Sequence, residues 1–103
     1  IDACVEGTRA IMNSDILEPI NLGSAELVTI DELVDIVEDI AGVTVKRRYN
    51  LDAPQGVRGR NSDNTMILDR LGWQPDIGLR EGLEQTYRWI HDEVKRAAAV
   101  PAA

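Results

Sequence analysis

Cysteine and histidine are scarce in this chain, with one of each among 103 residues. A single Cys4 cannot close an internal disulfide, which is typical of a reducing compartment, so we expect a cytoplasmic protein. One cysteine and one histidine cannot supply the ligand cluster of a zinc site, and we therefore predict no metal. No apolar run approaches the roughly 18 residues of a membrane span, so we expect no membrane partner.

Positive charge is also scarce, and it is unevenly placed. The chain has 11 basic and 18 acidic residues, a net charge of −7. Such a surplus should repel nucleic acid, because phosphate contacts dominate that binding. Five of the 11 basic residues nevertheless fall between positions 46 and 60, where only Asp52 opposes them. This segment favours one small polyanion, such as a nucleotide or sugar phosphate, and comprises Lys46, Arg47, Arg48, Arg58 and Arg60.

The stretch from Pro54 to Asn64 has no apolar period and is therefore predicted to be a loop. It carries Arg58 and Arg60, whose planar guanidinium groups match the geometry of phosphate and carboxylate. A phosphate clamp is one interpretation of this pair. The other is a solvated surface loop whose arginines pair with acidic helices.

Apolar spacing predicts four helices. The first has Asp2 as its cap and packs through a face that includes a buried Cys4 thiol. The second begins at a capping box of Thr29 and Glu32 and stops at Gly42. The third is short, is capped by Ser62 or Asp63, and ends at Gly72. The fourth carries an apolar stripe formed by Leu79, Leu83, Tyr87, Ile90 and Val94.

Two short strands are predicted between these helices, at Ile20–Gly23 and from Val43 to Tyr49. The order helix, strand, helix, strand, helix, helix indicates an α/β or α+β unit over residues 1–96, followed by a frayed tail at 97–103. Two strands are too few for an independent sheet, so we expect partner strands outside this chain. The chain also begins without Met, and we interpret it as a piece of a longer protein.

Several kinds of catalytic chemistry have no visible residues here. No glycine-rich dinucleotide loop and no Walker-type loop is present. His91 lies in the predicted last helix and is interpreted as a surface residue. Cys4 lies near Asp2 and Glu6, the opposite of the electropositive setting that activates a thiol. We therefore predict no catalytic residue in this chain.

Several motifs resemble the C-terminal portion of extended short-chain dehydrogenase/reductases, the NAD-dependent nucleotide-sugar epimerases and dehydratases. The resemblance extends from Ile1 to about Trp89. Within that family, the run from Gly56 to Asn64 is most similar to GDP-mannose 3,5-epimerases. The motifs are Ile1-Asp2-Ala3-Cys4-Val5-Glu6-Gly7, Ile20-Asn21-Leu22-Gly23-Ser24, Gly56-Val57-Arg58-Gly59-Arg60-Asn61-Ser62-Asp63-Asn64, Leu71-Gly72-Trp73-Gln74-Pro75 and Glu81-Gly82-Leu83.

The resemblance implies a small substrate-binding lobe of a Rossmann-type enzyme with a GDP-mannose-like nucleotide sugar as substrate. By position, Arg60 would contact the substrate diphosphate, while Arg58 would assist or brace the loop. Asp63 would cap a helix or orient an arginine. The family binds NAD on an N-terminal domain beside a Tyr-x-x-x-Lys pair, and neither is found here, so the chain alone is expected to be inactive.

Three alternatives remain open at this stage. The parent protein could be a nucleotide-sugar 4-epimerase or a 4,6-dehydratase, since both share this lobe. A different class is a binding or interaction domain without catalysis of its own. The resemblance also allows a homodimer of the parent protein.

Overall fold

The structure, a computed structural model, describes residues 1–100. It contains four helices in this part of the chain: α1 (Asp2–Met12), α2 (Ile30–Ala41), α3 (Thr65–Leu71) and α4 (Leu79–Ala99). The four predicted helices are thus confirmed. Because α4 continues to Ala99, residues 97–99 of the predicted frayed tail are helical. Residues 101–103 of that tail lie outside the described residues. Residues 1–100 contain no helix with the length and hydropathy of a membrane span.

The chain divides into two compact units, each built from two separate stretches of sequence. Unit 1 comprises residues 1–28 and 54–78 and contains α1 and α3. Unit 2 comprises residues 29–53 and the chain from Leu79 onward, and it contains α2 and α4. The arginine-bearing loop therefore belongs to unit 1.

The two predicted strands are wrong, since no residue from 1 to 100 lies in a β-strand. A strand is defined by backbone hydrogen bonds to a neighbouring strand, and segment 43–49 has no such neighbour. Its Val45 N–H instead donates to Oε1 of Glu38 at 2.9 Å, a side chain of α2. The described part of the chain is helical, and the connections between its helices form no sheet.

Helix α2 begins and ends where its local sequence predicted, at the Thr29 and Glu32 capping box and at Gly42. The Thr29 hydroxyl accepts from the Glu32 N–H at 3.1 Å, and Glu32 Oε2 accepts from the Thr29 N–H at 2.6 Å. These reciprocal bonds satisfy donors that the first helical turn leaves without partners. Gly42 ends the helix with a φ of 69°, in the left-handed region that suits glycine.

The packing of α1 differs from the prediction. Asp2 lies inside the first turn, and Ile1 occupies the N-cap position without a side-chain bond. The predicted packing face is open, because Cys4 is exposed, Val5 is 59% exposed and Met12 is 78% exposed. The buried residue of α1 is Gly7.

Close approach explains why Gly7 is the buried position. A Cβ placed on Gly7 would lie 2.8 Å from Cζ3 of Trp73 and would also clash with Leu22. A helix packs most closely where it has no side chain, so tertiary contact overrides the apolar pattern here. Ile67 of α3 is the one fully buried large side chain among the described residues.

Candidate functional site

Two segments of unit 1 run antiparallel and hold the arginine-bearing loop. The Ser62 N–H donates to the Ser24 carbonyl at 2.8 Å, and the Asn61 side-chain amide donates to the Ala25 carbonyl at 3.1 Å. Only one of these two bonds joins backbone to backbone, so the pairing does not form a β-ladder. This explains why the predicted strand at 20–23 is not part of a sheet.

Asn64 extends the same pairing by another residue. Its Nδ2 donates to the Gly23 carbonyl at 2.9 Å, while its Oδ1 accepts from the Ser62 hydroxyl at 2.7 Å. Asn64 is 7% exposed and is the buried polar residue of the described chain. A Cβ on Gly23 would lie 3.0 Å from Cβ of Ser62, so the two segments touch closely at this point.

A cavity of about 510 Å³ opens beside this pairing. Arg60 is the one basic residue that lines it, and Glu26 is the one acidic residue. Apart from Leu22, the remaining lining is polar or small, which suits a hydrated, charged ligand better than an apolar one. The lining residues are Asn21, Leu22, Gly23, Ser24, Glu26, Arg60, Asn61 and Ser62.

Arg60 and Arg58 are both exposed, and neither forms an ion pair or side-chain hydrogen bond within the part of the chain that the structure describes. They differ in placement, because Arg60 lines the cavity and Arg58 does not. The expected alternative, in which both pair with acidic helices, is not what the structure contains. Arg60 is thus a cation at a cavity with its donors available.

Asp63 orders the start of α3. Its carboxylate accepts from the Thr65 hydroxyl at 2.6 Å and from the Thr65 N–H at 3.0 Å, and these bonds lower the Asp63 pKa. Asn64 occupies the N-cap position without a side-chain capping bond, so the predicted cap at Ser62 or Asp63 is displaced by one residue or more. Asp63 does not orient an arginine in this arrangement.

The five basic residues between positions 46 and 60 are divided between the two units, with Lys46, Arg47 and Arg48 in unit 2. Arg47 pairs with Asp35, with Glu38 at 2.9 Å and with Asp31 at 3.4 Å. Hydrogen bonds to Asp35 and Glu38 raise its pKa. Arg47 is therefore paired with carboxylates of α2. The positive charge that segment 46–60 has free for a ligand is smaller than its sequence suggests.

The remaining reactive side chains lie elsewhere. Cys4 is exposed on α1, so the predicted buried thiol is wrong. His91 stacks on Tyr87 with ring centroids 5.8 Å apart, and its Nδ1 lies 3.5 Å from the Asp92 carboxylate. Across residues 1–100, no three His, Cys, Asp or Glu side chains are placed to hold a metal ion.

Sequence reasoning missed Asn21, Ser24 and Asn64. No local pattern distinguishes Asn64, because its partners lie up to 41 residues away. The available signal was the motif itself, in which Asn64 closes the run that begins at Gly56.

Comparison with known proteins gives a consistent set of relatives, although no family model matches the chain. The chain is 41% identical over 99 residues to GDP-mannose 3,5-epimerase of Arabidopsis thaliana. The aligned residues make up 96% of this chain and 26% of that protein. It is 42% identical over 96 residues to GDP-mannose 3,5-epimerase 1 of Oryza sativa subsp. indica, and the aligned residues make up 93% of this chain and 25% of the relative.

A second kind of enzyme is also similar. GDP-L-fucose synthase 1 of Arabidopsis thaliana is 38% identical over 73 residues, which covers 71% of this chain and 22% of that protein. The chain thus spans about a quarter of the length of the curated relatives it matches. With 41% identity across nearly its whole length, it belongs to the nucleotide-sugar epimerase and dehydratase family of extended short-chain dehydrogenase/reductases.

Proposed function

We propose that this chain is the substrate-side lobe of an NAD-dependent nucleotide-sugar epimerase of the GDP-mannose 3,5-epimerase type. In this proposal Arg60 clamps the diphosphate of the bound nucleotide sugar. The observation that carries the proposal is a single unpaired cation on a polar cavity of about 510 Å³. The similarity to GDP-mannose 3,5-epimerases supports the substrate class.

The chemistry of Arg60 suits this role. A guanidinium group offers five N–H donors in a planar fork, and charge-assisted bonds from this fork to phosphate are among the stronger polar contacts. Because Arg60 has no carboxylate partner in the described chain, none would have to be displaced when a diphosphate binds. Glu26 on the same cavity repels phosphate, and we expect the diphosphate to lie on the Arg60 side.

Arg58 is the secondary candidate. It is exposed and unpaired like Arg60, but it does not line the cavity. Its charge lies two residues away and would raise the local concentration of a polyanion without contacting it. We assign Arg58 a supporting role.

The residues of this chain do not fit NAD. No glycine-rich phosphate loop occurs in the sequence, and neither tyrosine is followed by lysine at the fourth position. We place the cofactor and the groups that perform epimerisation elsewhere in the parent protein. It follows that the isolated chain should not turn over a nucleotide sugar.

A second candidate is a different reaction on the same kind of substrate. GDP-L-fucose synthase 1 shares this region at 38% identity, so relatives whose names describe other reactions carry a similar sequence here. A 4-epimerase or 4,6-dehydratase parent would use the same diphosphate clamp. If the parent protein is instead a non-catalytic binding protein, the rest of its sequence should lack both the glycine-rich cofactor loop and the Tyr-x-x-x-Lys pair.

The test is a titration of GDP-mannose and of NAD on variants of the full-length protein. Arg60→Ala should weaken GDP-mannose binding by about 1.5–3 kcal/mol, the range for hydrogen bonds to charged groups. Arg60→Lys should recover only part of the loss, because an ammonium group lacks the bidentate fork. NAD affinity should not change.

Arg58→Ala is the matched control, since it removes the same charge from the same loop and should cost less. Circular dichroism of each variant checks that it is folded. Unchanged GDP-mannose affinity in Arg60→Ala would refute the clamp and favour a solvated surface loop. Equal losses in Arg58→Ala and Arg60→Ala would show a general effect of charge instead of a specific contact.

A further inference from the structure

We infer that Asn64 is the positioning residue of this site and that it fixes the loop from which Arg60 reaches the ligand. This inference rests on the proposed function, because it assigns Asn64 a role only through the Arg60 clamp. Asn64 itself does not line the cavity.

Asn64 is the most constrained polar side chain of the loop. It is 7% exposed, and both ends of its amide are used, with Nδ2 donating to Gly23 at 2.9 Å and Oδ1 accepting from Ser62 at 2.7 Å. Gly23 and Ser62 both line the cavity, and they belong to two different segments of the chain. Asn64 therefore ties the 61–64 segment to the segment that contains Gly23.

The loop has few other constraints on the Arg60 side. A Cβ on Gly56 would meet nothing within 4 Å, so this part of the loop is open. At Gly59 the nearest neighbour is the Leu27 side chain, at 3.3 Å. The Arg60 side chain has no partner of its own in the described chain. The position of its guanidinium group therefore depends on the backbone around residue 60.

The fixed point nearest to Arg60 is the cluster of bonds at residues 61–64. Asn61 contributes one bond from an exposed side chain, which water can replace. Asn64 is buried, and removal of its amide would leave the Gly23 carbonyl without that donor. The Asn64–Gly23 bond is partly buried, so water replaces the lost donor less readily than it does at the exposed Asn61 bond, and we expect the loop to shift when Asn64 is lost.

A double-mutant cycle on the full-length protein tests this role. The variants are Arg60→Ala, Asn64→Ala and the combination, each titrated with GDP-mannose and with NAD. Asn64→Ala should weaken GDP-mannose binding about three- to tenfold while NAD binding is retained. If Asn64 acts through Arg60, the combined variant should bind GDP-mannose no more weakly than Arg60→Ala alone.

Asn50→Ala is the matched control. Asn50 is an exposed asparagine of unit 2 whose side chain accepts from the Asp52 N–H, and we expect its loss to leave GDP-mannose affinity unchanged. Circular dichroism and thermal unfolding of each variant check that it is folded.

Asn64→Asp provides a readout that a purely structural role would not give. Aspartate keeps the acceptor for Ser62, but when ionised it cannot donate to the Gly23 carbonyl. Protonation restores that donor, so GDP-mannose affinity of Asn64→Asp should improve as pH falls. Asn64→Ala has no such group and should follow the pH profile of the wild type. Asn64→Asp also keeps the test available if Asn64→Ala does not fold.

The outcomes separate the two proposals. If Arg60→Ala weakens binding but the Asn64 effect is absent or fully additive to it, Asn64 is not a positioning residue and the clamp stands. An Asn64→Asp variant whose affinity does not improve at lower pH also contradicts the positioning role. If Arg60→Ala has no effect on GDP-mannose, the proposed function itself fails.

Discussion

Gly7 and Trp73 pack so closely that a Cβ on the glycine would lie 2.8 Å from Cζ3 of the indole ring. Real Cβ atoms essentially never come this near another heavy atom, and a tryptophan ring is rigid. This contact joins α1 to the connector that follows α3, within unit 1. It determines which side of α1 faces the body of the unit.

Replacement of Gly7 by valine should therefore destabilise the protein. Overpacking typically costs about 1–3 kcal/mol, and valine gains less helix propensity over glycine than alanine would. Gly56→Val is the control, because nothing lies within 4 Å of a Cβ at that position. Thermal unfolding of the full-length protein measures both. Similar melting temperatures for Gly7→Val and the wild type would contradict the close packing.

The capping box of α2 gives a prediction about local stability. Thr29→Ala removes the hydroxyl that accepts from the Glu32 N–H at 3.1 Å, and loss of such a cap typically costs about 0.5–2 kcal/mol. Thr8→Ala serves as the control, since the Thr8 hydroxyl bonds only to the Cys4 carbonyl within α1. Urea unfolding of both variants should show the larger loss for Thr29→Ala. An equal or smaller loss than in Thr8→Ala would argue against the box as a stabilising element.

Glu38 gives a prediction about pH dependence. The Val45 N–H, followed by the Arg47 guanidinium, lowers the Glu38 pKa below its ordinary value of 4.5. A carboxylate whose pKa is lowered by folding stabilises the protein above the pKa of the unfolded chain, and this contribution is lost as pH falls through the folded-state pKa. The contribution should therefore be complete at neutral pH and should begin to decline as pH falls below about 4.5.

Melting temperatures of wild type and Glu38→Gln between pH 7 and pH 3 test this linkage. Glutamine does not titrate, so the wild type should be the more stable protein at neutral pH, and the difference should shrink in acid. Glu93→Gln is a control, because within the described residues the Glu93 carboxylate pairs only with Arg96, three residues further along α4. A difference that stays constant across this range would show that Glu38 is not the titrating group.

Local sequence was sufficient to predict the helices. A capping box spans four residues, and a C-terminal glycine acts on the turn that precedes it, so Thr29, Glu32 and Gly42 could be interpreted without knowledge of the fold. The motifs around Arg60 indicated the family for a similar reason, because they lie together in the sequence.

Only the tertiary structure decided which residues meet. Gly7 faces Trp73, and Asn64 reaches Gly23 across 41 residues of sequence. Apolar periodicity placed Cys4 and Val5 on the buried face of α1, whereas close approach of a tryptophan ring selected the glycine instead. The predicted strands failed for the same reason, since a strand depends on a neighbour that local sequence does not specify. Contacts between distant residues are set by packing and by the satisfaction of buried polar groups, and neither has a local pattern.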